Sequence, residues 1–308
     1  MGPPVTVYEV GPRDGLQNES ALVPTSGKLQ LITALADAGL TRIEATSFVS
    51  PTWIPQLADA AEVTAGLPQR PGLGYVVLVP NAHGLRRLVE ALARSVGGPT
   101  VAAAVFLSAS EAHNLKNVNK TIEATLAAFS EVVPAARRAG LEVRGYVSTV
   151  FGCPYQGAVD PGRAAEVARR LLELGCGQVS LGDTIGVGTP GQVRAVLRRL
   201  LPVVPAGRLA LHLHDTRGTA LANALAGLEE GITTFDTSVG GMGGCPYAPG
   251  ASGNLATEDL VYLLRGMGYD TGIDFDKLVE AGALAQRLTG RELPGKALRA
   301  ALATRLEG

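Results

Sequence analysis

The chain has 308 residues, a formal net charge of −1 and a hydrophobic content of 46%, with 18% charged residues. The near-neutral charge, without a basic block along the chain, argues against nucleic acid as the main partner. The apolar runs are strand-sized and too short to cross a membrane. This composition is typical of a compact α/β protein with a large core.

Segments with the periodicity of strands alternate with segments of helical periodicity along the chain. Eight strands are predicted at Val5–Val10, Arg42–Thr46, Leu73–Val79, Thr100–Leu107, Glu142–Thr149, Gln178–Leu181, Leu209–His214 and Thr233–Thr237. Helices are predicted at Lys28–Ala38, Leu85–Arg94, Ile122–Ala139, Pro161–Leu174, Gln192–Leu200, Ala220–Glu230 and Thr257–Met267. The polar segment Ser108–Lys120 is predicted to be a loop, either solvated or placed to contact the phosphates of an anionic substrate.

Eight strand–helix units favour an α/β fold of the closed (β/α)8 TIM barrel type. The alternative is a doubly wound open sheet, but Gly11–Gly15 after the first strand lacks the spacing of a phosphate-binding glycine turn. Residues 273–306 are predicted to add two or more helices, with a break at Gly290–Pro294. We expect these helices to pack on the barrel as an appendage suited to an oligomer contact, so that residues 1–308 form a single domain.

The three cysteines, Cys153, Cys176 and Cys245, are a sparse and odd set, which is typical of reduced thiols. The N-terminus leads directly into a strand-like segment, without the basic and apolar regions of a targeting sequence. We therefore expect a cytoplasmic protein in which Cys153 and Cys176 pack as ordinary apolar residues.

Functional groups of such barrels lie at the carboxyl ends of the strands, and polar residues gather at those positions in this sequence. They are Arg13, Asp14, Glu44, Ser180, Asp183, His212, His214, Cys245 and Asn254. Ionisable groups inside a barrel are costly unless they are paired or bind a ligand. Their convergence therefore indicates an active site.

His212 and His214 are two residues apart on a predicted strand and therefore project from the same face. With Asp14 as the third ligand and the carbonyl oxygen of Asn254 as the fourth, they predict a divalent-metal site. Mixed nitrogen and oxygen ligands favour Mg²⁺ or Mn²⁺, because Zn²⁺ more often recruits cysteine. Structural alternatives are hydrogen-bonded core histidines, an aspartate that forms a turn, and an asparagine that caps a helix starting near Leu255.

Arg13 beside a metal-binding aspartate offers a fixed positive charge for an oxyanion. Its structural alternative is an ion pair with Glu44 or Glu9. Glu44 is expected to orient Arg13 or a catalytic water, and Asp183 is expected to be a second carboxylate at the barrel mouth or the cap of a loop.

The glycine-rich segment Gly240–Gly244 precedes Cys245 and predicts a mobile flap that brings the thiol to the site. In that position Cys245 would donate or accept a proton. The alternatives are an ordinary surface turn and an inert thiol.

Seven segments together carry a specific pattern: Tyr8–Glu19, Ile43–Pro51, Arg144–Ser148, Gly152–Tyr155, Ser180–Pro190, His212–Thr216 and Gly241–Tyr262. They resemble the 3-hydroxy-3-methylglutaryl-CoA lyases, metal-dependent barrels that cleave carbon–carbon bonds beside thioesters. The resemblance implies metal binding by Asp14, His212, His214 and Asn254. It implies a reacting centre of Arg13, Asp14, Glu44, Asp183, His212 and Cys245. It also implies substrate contacts by Arg13, Gln17, Lys116, Asn117, Tyr146, Ser180 and Thr184.

The reaction implied by the resemblance is cleavage of 3-hydroxy-3-methylglutaryl-CoA to acetoacetate and acetyl-CoA. In that reaction His212 or Asp183 would remove the hydroxyl proton, Arg13 would stabilise the enolate, and Cys245 would protonate its carbon. The implied partner is an acyl-CoA substrate. The implied assembly is a homo-oligomer, either a dimer or a tetramer.

The same sequence pattern has three alternative functional interpretations. A lyase for a longer branched ester, such as isohexenylglutaryl-CoA, would have the same metal site. A condensing enzyme of the isopropylmalate or citramalate synthase type is disfavoured, because such enzymes tend to have glutamate in place of Leu16 and a regulatory domain. A non-catalytic acyl-CoA-binding barrel would require Arg13 or Cys245 to be dispensable.

Overall fold

The computed structural model describes residues 4–95, 98–244 and 253–306. Within them, parallel strands form a closed eight-stranded barrel in chain order. The strands are β1 (Thr6–Glu9), β2 (Arg42–Ser47), β3 (Gly74–Leu78), β4 (Thr100–Ser108), β5 (Val143–Ser148), β6 (Gln178–Gly182), β7 (Leu209–His212) and β8 (Thr234–Thr237). The predicted TIM barrel is confirmed, because β1 pairs with β8 as well as with β2 and thereby closes the sheet.

The described residues form eleven α-helices, which alternate with the strands or follow them. These are α1 (Thr25–Asp37), α2 (Ala60–Ala65), α3 (Ala82–Leu92), α4 (Glu111–Val118), α5 (Ile122–Arg138), α6 (Pro161–Leu174), α7 (Pro190–Leu200), α8 (Ala220–Glu229), α9 (Thr257–Gly266), α10 (Phe275–Thr289) and α11 (Lys296–Leu306). Helices α2 and α4 were not predicted. The others lie where helices were predicted.

Helix α6 shows how local signals set the element boundaries. Asp160 caps its N-terminus and accepts a hydrogen bond from Gly162 N at 3.2 Å. Pro161 takes the first helical position, where its missing N–H has no helical partner to lose. Gly175 ends the helix with a φ of 111°, a conformation that strains residues with a side chain.

The prediction of a loop at Ser108–Lys120 is wrong, because most of this segment forms α4. Ser110 caps the helix, and its hydroxyl group accepts a hydrogen bond from His113 N at 3.3 Å. On the buried face, Asn114 Oδ1 accepts a hydrogen bond from Ser108 N at 3.0 Å. Polar side chains thus replace the apolar stripe that would have indicated a helix.

A buried ion pair lies in the barrel interior. Arg144 of β5 binds both carboxylate oxygens of Asp236 of β8, with Nη2–Oδ1 at 2.6 Å and Nη1–Oδ2 at 3.1 Å. The rings of Tyr8 and Tyr146 lie with their centroids 4.0 and 4.9 Å from the guanidinium carbon of Arg144. This layer fills the interior beneath the carboxyl ends of the strands.

Helices α10 and α11 follow the barrel, as predicted for residues 273–306. Helix α10 packs against α1, and α11 packs against α9 and α10. In the connection between them, Arg291 Nε lies 2.8 Å from Glu19 Oε2, which ties this connection to the segment after β1. The packing supports the predicted appendage and single domain, which stay predictions. Among the described helices, none has the length and hydropathy needed to cross a membrane.

Candidate active site

A cavity of about 360 Å³ opens at the carboxyl ends of the strands, where function is expected in this fold. Many of the predicted site residues line this cavity together. They are Arg13, Asp14, Gln17, Asn117, Tyr146, Ser180, Thr184, His212 and His214.

A turn of π-helix at Gly11–Gly15 presents Arg13 and Asp14 to the cavity. The carbonyl oxygen of Val10 accepts hydrogen bonds from three successive N–H groups, those of residues 13–15, at 3.1, 2.7 and 3.3 Å. Turns of π-helix are rare and are frequently found at functional sites. This turn was not predicted, because its residues carry no periodic pattern.

Asp14, His212 and His214 bring a carboxylate oxygen and two imidazole nitrogens within 4.8 Å of one another. The two Nε2 atoms are 3.2 Å apart, and Asp14 Oδ2 lies 3.8 Å from His212 Nε2. Adjacent ligands about 2.1 Å from an octahedral ion lie about 3 Å apart. The spacing of the three atoms therefore suits a divalent cation, which would draw them slightly closer.

Asn254 lies beside these three residues. Its Nδ2 donates hydrogen bonds to Asp14 Oδ2 at 2.9 Å and to Met242 O at 3.0 Å. Its Oδ1 is buried and has no hydrogen-bond partner within the described residues. Such an orphaned carbonyl oxygen is costly, and a bound cation would relieve the cost. Helix α9 has Ala256 at its N-cap, so the alternative role of Asn254 as the cap is wrong.

The charges around the ligand atoms favour a cation. Burial opposes the ionisation of Asp14, but Arg13 and the two histidines outweigh it and hold the pKa of Asp14 well below its usual range. Burial lowers the pKa of His214 to about 4, and repulsion from His212 adds to the effect. An ionised Asp14 and a neutral His214 are the protonation states that metal binding requires.

Asp236 is a candidate functional residue that sequence reasoning missed. Its Oδ2 lies 3.4 Å from His212 Nδ1 and accepts a hydrogen bond from Ser180 Oγ at 2.7 Å. A carboxylate at Nδ1 holds the imidazole proton there and leaves Nε2 free for a metal. Burial would raise the pKa of Asp236, but Arg144 outweighs it and lowers the pKa to about 2. Opposite charges within two predicted strands of one barrel are the sequence signal that could have revealed the pair.

Arg13 is held between two carboxylates. Its Nε and Nη2 lie 2.8 and 2.7 Å from Glu44 Oε2, and its Nη1 lies 2.6 Å from Asp14 Oδ1. Arg13 is only 7% exposed, and it lines the cavity. Arg13 therefore forms the ion pair with Glu44 that was the structural alternative, and its guanidinium group also faces the cavity. This geometry supports the predicted role of Glu44 in orienting Arg13.

Two of the described site residues, Asp183 and Lys116, do not join this cluster. Asp183 is buried outside the cavity lining, and its carboxylate accepts hydrogen bonds from Val187 N at 3.0 Å and Gly188 N at 2.9 Å. This geometry matches the loop-cap alternative rather than a position at the barrel mouth. Lys116 is exposed on α4 and does not line the cavity. Cys245 lies outside the described residues, and its role stays a prediction.

In the described part of the predicted flap, three glycines have backbone conformations that favour glycine. Gly240, Gly241 and Gly243 have φ values of 63°, 72° and 106°, a region in which other residues are strained. A Cβ atom on Gly240 would also lie 2.4 Å from Leu293 Cδ1. The hinge function itself stays a prediction.

Two buried carboxylates hold the turn that precedes this flap. Glu9 Oε1 accepts hydrogen bonds from Gly11 N at 2.7 Å and Val239 N at 2.9 Å. Glu258 Oε2 accepts a hydrogen bond from Gly240 N at 2.7 Å. Burial raises the pKa of Glu9 to about 7 and the pKa of Glu258 to about 8.

We expect the contribution of Glu258 to the free energy of unfolding to fall as the pH rises from 4.5 to about 8. A carboxyl group with a raised pKa binds its proton more tightly in the folded state. Its stabilising contribution is therefore complete below the unfolded pKa and is lost as the pH passes the folded pKa. The slope is at most about 1.4 kcal/mol per pH unit.

Urea unfolding at several pH values measures this slope. Glu258→Gln keeps an oxygen that can accept from Gly240 N but removes the titration, so this variant should show a smaller slope. Glu131→Gln, on the exposed face of α5, should keep the slope of the unmodified protein. Equal slopes in all three proteins would contradict the assignment to Glu258.

Comparison with known proteins shows which family the chain belongs to. A family model described as HMGL-like matches residues 4–285. The chain is 52% identical over 296 residues to the mitochondrial hydroxymethylglutaryl-CoA lyase of Bos taurus, a match that covers 96% of this chain and 89% of that protein. It is 49% identical over 303 residues to the cytoplasmic 3-hydroxy-3-methylglutaryl-CoA lyase of Rattus norvegicus, with coverage of 98% and 86%.

A solved structure extends the comparison to three dimensions. An HMG-CoA lyase from Acinetobacter baumannii, in complex with coenzyme A and 3-methylmalate, has a TM-score of 0.90 at 40% identity, and the match covers 97% of both chains. The structural likeness therefore extends over nearly the whole chain. The chain belongs to the HMGL-like family and, within it, to the hydroxymethylglutaryl-CoA lyases.

Proposed function

We propose that this chain cleaves 3-hydroxy-3-methylglutaryl-CoA to acetoacetate and acetyl-CoA, with Mg²⁺ or Mn²⁺ held by Asp14, His212, His214 and Asn254. The observation that carries the proposal is the convergence of these donors beside Arg13 at one cavity of a chain from this family. The orphaned Oδ1 of Asn254 supports the fourth ligand. The complex of the Acinetobacter baumannii relative with coenzyme A supports an acyl-CoA substrate.

The cleavage requires removal of the proton from a tertiary hydroxyl group while electrons move towards the thioester. A divalent cation at the proposed ligands would polarise the substrate oxygens and lower the pKa of that hydroxyl group. Arg13 would bind the thioester oxygen and stabilise the enolate charge that develops there. Glu44 and Asp14 hold its guanidinium in place, so little reorganisation is needed during the reaction.

His212 or Asp183 is the proposed acceptor of the hydroxyl proton, and His212 can take this role only while its Nε2 is not bound to the cation. His212 lines the cavity, whereas the carboxylate of Asp183 already accepts two backbone hydrogen bonds. Burial lowers the pKa of His212, but Asp236 and Asp14 outweigh burial and raise it. Cys245 is retained as the proposed donor to the enolate carbon.

Metal removal provides the test of this proposal. Purified protein is treated with a chelator, reconstituted separately with Mg²⁺, Mn²⁺ or Zn²⁺, and incubated with the proposed ester or its isohexenyl analogue. Acetoacetate and acetyl-CoA are then assayed. We expect cleavage of 3-hydroxy-3-methylglutaryl-CoA to disappear after chelation and to return with Mg²⁺ or Mn²⁺. Cleavage of only the isohexenyl ester would overturn the substrate assignment, and metal binding without turnover of either ester would favour a binding protein.

Calorimetric metal titration of two histidine variants separates the proposed site from nonspecific binding. His212→Ala should weaken Mn²⁺ binding at least about tenfold. His83→Ala changes an exposed histidine on α3 and should bind Mn²⁺ as the unmodified protein does. Equal affinities of the two variants would contradict the ligand set.

The homo-oligomer and the cytoplasmic location stay predictions. The names of the relatives include both a mitochondrial and a cytoplasmic lyase, and therefore favour neither compartment.

A further inference from the structure

Trp53 is the only tryptophan of the chain, and it stands at the rim of the active-site cavity. Its side chain lies in the connection between β2 and α2 and is 69% exposed. Tryptophan is among the costliest side chains to leave in water, because burial of its large apolar surface lowers the free energy of the system. This indole is also part of the lining of the cavity, so it extends an apolar surface that a ligand can cover.

The segment that carries Trp53 is held in place independently of the indole ring. Trp53 N and Ile54 N both donate hydrogen bonds to Ser50 O, at 3.0 and 3.1 Å. Two residues further, Gln56 O accepts a hydrogen bond from the buried Lys28 Nζ at 2.5 Å. The backbone of this segment is therefore already ordered, so ligand binding costs little backbone conformational entropy there.

The cavity has two chemically different parts. The cluster of Arg13, Asp14 and the two histidines provides charge and polar atoms. A second set of lining residues is apolar and includes Val49, Trp53, Ile54, Leu78 and Phe106. At about 360 Å³ the cavity is near the lower limit for a drug-sized ligand, and a coenzyme A ester is considerably larger. The part of such an ester that follows the thioester must therefore pass over the rim.

We propose that the indole ring of Trp53 packs against the pantetheine arm of the acyl-CoA substrate, an inference that rests on the proposed function. The pantetheine arm is joined directly to the thioester sulfur, so it is the first group to leave the cavity. Its methylene and geminal methyl groups match an apolar wall. The phosphates of the nucleotide need cationic partners instead, and the exposed Lys116 of α4 lies beyond the lining. Trp53 is therefore assigned to substrate binding and not to the chemical step.

Because Trp53 is the only tryptophan, its fluorescence reports directly on this contact. The unmodified protein is titrated with coenzyme A, with pantetheine and with adenosine 3′,5′-bisphosphate, while emission is recorded and binding is measured in parallel by calorimetry. We expect coenzyme A and pantetheine to move the emission to shorter wavelength, because the indole loses water. Adenosine 3′,5′-bisphosphate should leave the emission unchanged.

The other outcomes of these titrations test the inference and the proposed function separately. Calorimetric binding of coenzyme A with unchanged emission would overturn the inference alone and leave the proposed function intact. An emission shift with the nucleotide fragment but not with pantetheine would also overturn it, in favour of adenine stacking. An absence of coenzyme A binding in both measurements would overturn the inference together with the acyl-CoA substrate. An emission shift without turnover of any ester would support the inference and contradict the proposed lyase activity.

Steady-state kinetics give an independent readout. Trp53→Ala should raise KM for the CoA ester about tenfold, as expected from the loss of a large apolar contact, with kcat changed less than about twofold. Trp53→Phe should recover most of the loss. Tyr262→Ala is the matched control, because Tyr262 is 70% exposed and lies outside the cavity lining.

A truncated substrate isolates the contact within the ester. The N-acetylcysteamine thioester of the same acyl group keeps the reacting atoms but lacks most of the pantetheine arm. Trp53→Ala and the unmodified protein should cleave it with the same kcat/KM. A defect of Trp53→Ala on the truncated ester at least as large as that on the CoA ester would overturn the proposed contact.

Discussion

Replacing Arg13 and Glu44 together, by Arg13→Met and Glu44→Gln, should lower kcat for the proposed carbon–carbon bond cleavage by about a thousandfold. Arg13 is proposed to supply a fixed positive charge beside the proposed metal ligands, and loss of a preorganised oxyanion donor costs about a hundred- to thousandfold in kcat. The guanidinium group also carries a full charge, which places the expected loss at the upper end of this range. The double change is preferred because Arg13→Met alone would leave the buried carboxylate of Glu44 without its partner.

Binding measurements distinguish a catalytic role of Arg13 from a structural one. Manganese affinity should not fall in the double variant, because a positive charge has been removed from beside Asp14. Arg70→Met with Asp37→Asn is the control, since this exposed ion pair lies on the surface. It should retain full turnover. Near-normal kcat in the Arg13 variant, with metal bound, would exclude its role in the reaction.

Asp236→Asn should destabilise the protein by about 3–5 kcal/mol and weaken metal binding by about ten- to a hundredfold. The first effect follows because the guanidinium of Arg144 would remain buried without its anionic partner. The second follows because an amide can turn its NH₂ group towards His212 Nδ1 and so cease to favour the proton there. Urea unfolding and manganese calorimetry measure the two effects separately.

Asp37→Asn provides the control for the stability effect. It breaks the ion pair with Arg70, in which the Asp37 side chain is 53% exposed. Surface pairs of this kind contribute about 0–1 kcal/mol, so the expected loss is much smaller. A loss of similar size in the two variants, with unchanged metal affinity in Asp236→Asn, would remove Asp236 from the proposed site.

Helix boundaries were predictable where they depend on neighbouring residues. Asp160 and Pro161 start α6, and Gly175 ends it, through hydrogen bonds and φ preferences that act within one turn. Helix α4 was missed because its inward side chains include Asn114 and His113 instead of an apolar stripe. This helix is stabilised by polar partners outside it, and the periodicity of hydrophobic residues does not reveal such partners.

Part of the site was predictable for a similar reason. His212 and His214 share a face because alternate residues of a strand point the same way. Arg144 and Asp236 are 92 residues apart, and their pairing required the barrel interior to bring β5 and β8 together. Asp183 was placed at the right strand end, but the loop after it turns back and supplies two N–H groups to its carboxylate.

The sequence by itself determined the alternation of strands and helices, the barrel that follows from it, and a set of polar residues at the strand ends. Only the tertiary structure decided which of these residues share one cavity, that Asp236 faces His212, and that Trp53 stands exposed at the rim. The physical reason is the range of the interactions. Periodicity and capping act between residues close in the chain, whereas burial and charge pairing act between strands that meet only when the barrel closes.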